Sequence, residues 1–160
     1  MRIIIPESQE ALPGLKTPNG LLQWIGTTDH KMIGILYLWS ALLFLVLGLL
    51  EAVLMRIQLT IPENSFLSPE AYNQVFTMHG TTMIFLVLTP MLTGFATYFL
   101  PVMIGSNEMA FPRLNAFSFW VFFLGGLMLY FSLLAGGAPD VGWFSYAPLS
   151  ERYYSAHSGV

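Results

Sequence analysis

The stretch Phe76-Thr77-Met78-His79-Gly80-Thr81-Thr82-Met83 places an imidazole inside 37 consecutive residues, Ala71 to Asn107, that include no Asp, Glu, Lys or Arg. A run of this length and character is a membrane span, since crossing the hydrocarbon core takes about 20 residues of helix. Burying a polar ring without a partner costs roughly 2–7 kcal/mol. His79 therefore calls for a hydrogen-bond partner, a proton-handling role or a metal, and ionisable groups at membrane depth are functional by default.

Working outward, two more stretches are long enough to span. Met32 to Met55 is interrupted only by Glu51, and Ala116 to Gly136 carries no charge; the central span runs from Val75 to Ile104. The whole chain is 55% hydrophobic and 9% charged, with a mean hydropathy of +0.64, against about 25% charged residues in soluble proteins. The three helices are apolar on every side, which excludes a soluble core built from one-sided helices. The chain has no Cys, so any metal must be held by His, Met, carboxylate or carbonyl. A net charge of -3 with few basic residues gives no patch for nucleic acid.

Orientation follows from Lys and Arg. Arg2, Lys16 and Lys31 precede the first span and Arg113 lies in the second connection, whereas Ile57 to Gln74 has neither Lys nor Arg. The positive-inside rule puts residues 1–31 in the cytoplasm. That segment has no apolar core and no small-residue cleavage site, which argues against a cleaved signal peptide. Residues 137–160 then emerge on the outer side, where Arg56 and Arg152 are the basic residues.

Ser68-Pro69-Glu70 reads as a helix start, with Ser as N-cap, Pro at the first position and an early acid. His79 then lies 10 residues in, roughly 15 Å along the axis, in the outer half of the membrane. Arg56 closes the first span at a similar depth, and a short connection makes the two helices antiparallel neighbours. Pro90 is expected to kink the second span, and Gly80 and Gly94 to admit a close neighbour. The inner connection, Pro101 to Asn115, has Glu108 as its one acid, and Trp143 and Tyr146 suit an interfacial cap. Three helices bury too little surface for a large cofactor, so a longer chain is expected.

Each residue also has a plainer reading. His79 could be hydrogen-bonded to a neighbouring helix, and Arg56 could snorkel at the membrane edge. Glu108 could be a solvated acid, Asn107 and Asn115 turn residues, and Tyr37 a packing aromatic. His30 and His157 lie outside the spans and are expected in solvent. Glu51 either pairs with Arg56 across i, i+5 or faces the bundle with a protonation role.

Several motifs nevertheless resemble one family. Thr27-Thr-Asp-His-Lys-Met-Ile-Gly34, Leu54-Met-Arg56, Phe76-Thr-Met-His-Gly80, Ile104-Gly105, Met109-Ala-Phe-Pro-Arg-Leu-Asn115 and Gly142-Trp143 to Pro148-Leu149 resemble the N-terminal quarter to third of haem-copper terminal oxidase subunit I, most like the aa3-type cytochrome c oxidases. The resemblance runs from Gln23 to Val160. It implies an all-α membrane protein, with residues 32–160 supplying the first three helices of a 12-helix bundle. A low-spin haem in such a bundle passes electrons to a high-spin haem and a copper ion, which reduce O2 to water with proton pumping.

By that resemblance His79 matches the first axial ligand of a low-spin haem A, and a bis-imidazole iron has no open position, which suits electron transfer. Arg56 matches the arginine bonded to the haem formyl group and Trp143 a tryptophan near the propionates. Glu108 stands where the family has an aspartate at a proton-channel mouth, Asn115 and Tyr37 match channel residues, and Thr97 replaces a second channel asparagine. Gln58 stands where many members have a cation-binding glutamate, so that cation is not expected. The second haem ligand, the high-spin haem and the copper site are expected in the part of the chain beyond these residues.

The leading expectation is a core oxidase subunit in a bacterial cell membrane, with cytochrome c as donor and subunits II and III as companions. A quinol oxidase of the same superfamily is the alternative. Quinol-oxidising members carry an Arg, an Asp and a His where this chain has Leu47, Glu51 and Ala71, which favours cytochrome c. A different class, a non-catalytic three-helix assembly protein, would bind no haem.

Overall fold

The computed structural model describes residues 20–148 and 150–151. They form a helical membrane protein with three helices long and apolar enough to span. A short helix, α1 (Leu21–Ile25), leads into α2 (His30–Gln58). The second span runs continuously from Pro69 to Met103 as α3 (Pro69–Thr81), a π-helical segment (Thr82–Leu88) and α4 (Thr89–Met103). The third is α5 (Pro112–Leu134).

The helix ends follow from their capping residues. Asp29 caps α2 by accepting from the Lys31 amide at 2.9 Å. Ser68 caps α3 by accepting from the Ala71 amide at 3.2 Å, with Pro69 in the first turn, as the Ser-Pro-Glu string predicted. Each span begins a few residues earlier than hydropathy alone suggested: polar caps extend α2 and α3 beyond the apolar stretch, and Pro112 in the first turn opens α5.

Pro90 acts differently from the expected simple kink. Its ring excludes the α-helical carbonyl four residues back and it has no N–H. The chain widens just before it, and the Thr89 amide donates to Ile84, five residues earlier. Widening to a π-helix is one of the recognised ways to relieve such a conflict.

α2 is the central element, packing against α3, the π-helical segment, α4 and α5. Gly34 and Gly94 meet near the start of α2, where a Cβ on Gly34 would lie 2.9 Å from the Gly94 carbonyl oxygen. Two glycines are thus required by backbone contact, the small-residue packing that membrane helices use in place of a hydrophobic driving force. Farther along α2, Gly48 meets Met83 and Thr82, so the two spans run antiparallel. An aromatic cluster joins α2 to α5: Phe44 is fully buried among Phe122, Phe123 and Tyr130. The rest of α5 includes several exposed apolar side chains, among them Met128, Phe131 and Leu134.

Candidate functional site

Sequence-singled residues gather at two levels. Toward the end of α2, α3 carries His79 to the face of that helix. Its Nδ1 lies 2.9 Å from the carbonyl oxygen of Gly48. A carbonyl only accepts, so Nδ1 carries the hydrogen and, in the neutral ring, Nε2 carries the lone pair. Such an imidazole is oriented as a metal ligand, its second nitrogen held by an outer partner in the way ligating histidines are usually fixed.

The turn after α5 closes on the same helix. The Gly142 amide donates to Thr77 Oγ1 at 2.8 Å, and a Cβ on Gly80 would lie 2.8 Å from Trp143 Cδ1. Trp143 therefore sits against the residue following His79, with 47% of its surface exposed. Gly80 is needed for that approach. Arg56, in the last turn of α2, is exposed and its carbonyl accepts from Thr60 at 3.0 Å. Of the two readings of Glu51, the ion pair with Arg56 does not form among the described residues; Glu51 is turned inward, 5% exposed.

At the opposite end, where α2 begins, a cavity of about 320 Å³ is lined by Thr28, Asp29, His30, Lys31, Asn107, Glu108 and Pro112. Here one expectation is corrected. His30 is not solvated: it opens α2 at 5% exposure, because the Asp29 cap starts the helix before the apolar run begins. Its Nδ1 lies 3.7 Å from Asp29, while its Nε2 is buried without a partner. His157 lies outside the described residues.

Beyond that cavity a file of polar groups continues between α2 and α5. Asn115 has a buried Nδ2 with no partner among the described residues. Its backbone carbonyl accepts from Ser118 Oγ at 2.7 Å, and Ser118 Oγ lies 3.1 Å from the hydroxyl of Tyr37. Since Ser118 uses its one hydrogen on Asn115, Tyr37 must donate to Ser118. Tyr37 is 4% exposed and packed edge-on against Phe119 at 5.1 Å. Thr97 is buried on α4. Ser118 was not singled out in the sequence, although its place one turn after Asn115 on a helix would have found it.

Residues 32–159 match the family described as cytochrome C and quinol oxidase polypeptide I. The chain belongs to this family. It is 50% identical over 131 residues to a cytochrome c oxidase subunit 1 of Alkalihalophilus pseudofirmus, covering 82% of this chain and 21% of that protein. Against the cytochrome c oxidase subunit 1 of Bacillus subtilis it is 51% identical over 137 residues, 84% of this chain and 22% of that one. A quinol oxidase subunit 1 of Bacillus subtilis is 44% identical over 137 residues, covering 86% and 21%. The chain thus spans about a fifth of the length of these curated relatives. As an oxidase subunit I segment, it is the N-terminal, all-helical membrane part that the motifs predicted.

The haem implied by the family is compatible with the residues present. The His79 imidazole is set by Gly48 with the lone pair on Nε2, the donor an iron would require, and no cluster of three or more His, Cys, Asp or Glu offers a competing metal site among the described residues.

Proposed function

We propose that this chain is the N-terminal part of the core subunit of a proton-pumping respiratory terminal oxidase, which moves electrons from cytochrome c through a low-spin haem to a haem-copper centre reducing O2 to water. The observation that carries the reading is the His79–Gly48 hydrogen bond. It fixes the tautomer and orientation that an axial imidazole ligand needs. When bound, haem A supplies a one-electron redox couple at this site. His79 would hold it from α3, Trp143 would close the turn beside it, and Arg56 would offer a guanidinium at the outer end of α2.

At the other end, Glu108 and His30 line the inner cavity and Asn115, Ser118 and Tyr37 continue the polar file. This arrangement supports proton entry from the cytoplasm. Residues 1–31 are then cytoplasmic, the membrane is the bacterial cell membrane, and subunits II and III complete the complex. The second axial ligand, the high-spin haem and the copper belong to the remainder of the subunit.

Cytochrome c as donor is supported by Leu47 and Ala71 and by the inward turn of Glu51, which faces other helices and not lipid. The test is a reduced-minus-oxidised spectrum with haem extraction from the intact oxidase. His79→Ala is expected to abolish the low-spin haem band. A band retained at full intensity would reject the ligand assignment, and a wild-type protein without haem would favour a structural three-helix protein.

A further inference from the structure

The oxidase reading leaves one buried group unused. Glu51 lies seven residues before the end of α2, roughly 10 Å inward at 1.5 Å per residue. It is 5% exposed, and its carboxyl oxygens make only a loose approach, to the Tyr130 hydroxyl, and no well-formed hydrogen bond among the described residues. The hydroxyl of Tyr130, on α5, faces that carboxyl within electrostatic reach and lies 2.8 Å from Thr82 Oγ1. Tyr130 is held there by stacking on the fully buried Phe44, ring centroids 5.8 Å apart.

This cluster adjoins the His79 contact. Thr82 is one turn past His79, Glu51 is one turn past Gly48, and a Cβ on Gly48 would lie 3.3 Å from Thr82 Cγ2. Gly48 thus touches both turns of the second span, its carbonyl oxygen meeting His79 and its α-carbon facing Thr82, and Glu51 follows Gly48 by one turn on α2.

We propose that Glu51, with Tyr130 and Thr82, forms a proton-holding site whose occupancy follows the redox charge on the group that His79 holds. The proposal rests on the haem-ligand reading above. An ionised carboxylate buried without a cation is strongly disfavoured, and Arg56 makes no salt bridge to it. Of the other ionisable groups on elements packed against α2, Tyr130 faces the carboxyl, and His79 is bound to Gly48 one turn away. Tyr98 of α4 lies at the far end beside Gly34, and Tyr72 of α3 lines the outer loop cavity. A proton is the compensating charge that such a packed site can admit.

The coupling is electrostatic. An electron supplied by the reduced donor would add one negative charge to a group held by His79, and in a low-dielectric interior its field would extend across a helical turn. Glu51 offsets it by taking one proton from the aqueous phase, COO⁻ + H⁺ → COOH. Oxidation returns both. Tyr130 adapts to either state: beside a carboxylate its hydroxyl donates to Glu51 and accepts from Thr82, whereas beside a carboxylic acid it accepts from Glu51 and donates to Thr82. The inward burial of Glu51 also separates this role from one serving a lipid-soluble substrate, which would require a carboxyl facing lipid.

The experiment uses the intact full-length oxidase, wild type and Glu51→Gln, in two measurements: redox titration of the low-spin haem across pH, and redox-difference infrared spectroscopy. The wild type is expected to show a pH-dependent midpoint and a carboxylic-acid C=O signal appearing on reduction. Glu51→Gln should keep the haem band, lose that C=O signal and flatten the pH dependence. Unchanged infrared and pH behaviour in Glu51→Gln overturns the proposal. Should that variant not assemble, Tyr130→Phe decides: the C=O signal is expected to shift in frequency, and an unshifted signal overturns it. A wild type without a low-spin haem band would reject the oxidase reading instead.

Discussion

His79 Nδ1 and the carbonyl oxygen of Gly48 lie 2.9 Å apart across the contact between α3 and α2. The bond depends on how closely the two helices approach, and Gly48 sets that approach. A Cβ there would lie 2.9 Å from Met83 Sδ and 3.3 Å from Thr82 Cγ2. Met83 is flexible and can yield, but the Thr82 methyl is part of a buried, bonded side chain. Gly48→Ala is therefore expected to separate the helices and lengthen the histidine bond. Loss of such an outer partner typically costs about 10–100-fold in metal affinity. Haem content per polypeptide, titrated against a haem-binding competitor, measures it; wild-type retention would contradict the role given to Gly48.

Gly94→Leu probes the other end of the same interface. Its Cβ would lie 3.0 Å from both the Gly34 carbonyl oxygen and Tyr37 Cβ, and backbone cannot move aside. Overpacking of this kind costs about 1–3 kcal/mol. The variant should lose its haem absorbance at a lower temperature than wild type in a thermal ramp. Equal melting would mean that the two glycines do not hold the spans together.

Tyr37→Phe removes the hydroxyl that donates to Ser118 and leaves the aromatic packing on Phe119 in place. Stability should fall by about 1 kcal/mol, the net worth of an ordinary hydrogen bond. Proton uptake, followed with a pH dye during a single turnover, should slow while the haem spectrum stays unchanged. An unaffected uptake rate would remove Tyr37 from the proton file.

Glu108→Ala removes the acid at the inner cavity. Steady-state turnover and proton uptake are expected to drop together, again without a change in the haem spectrum. Glu108→Asp should restore most of both, because it shortens the side chain by one methylene and keeps the carboxylate. Full pumping in reconstituted vesicles carrying Glu108→Ala would count against an entry role.

The spans, the Ser68–Pro69 start of α3 and the placement of His79 ten residues inside it were legible in the chain itself. Hydropathy over 20 residues, a cap and a proline are local signals, and a membrane forces the backbone to satisfy itself within each helix. The motifs around Arg56, His79 and Glu108 also identified the family without any tertiary contact. His30 escaped because hydropathy marks the apolar run, whereas the helix begins at its polar cap.

Partnership was another matter. The Gly48 carbonyl that orients His79 is 31 residues away, and Ser118, which receives the Tyr37 hydroxyl hydrogen, is 81 residues away. Glu51 could equally have paired with Arg56 or faced the bundle. Spans that are apolar on every side carry no stripe to say which face turns inward, so rotation about each helix axis is decided by close packing at Gly34, Gly48 and Gly94. That packing, and not the order of residues, set the histidine tautomer and turned the Glu51 carboxyl toward Tyr130.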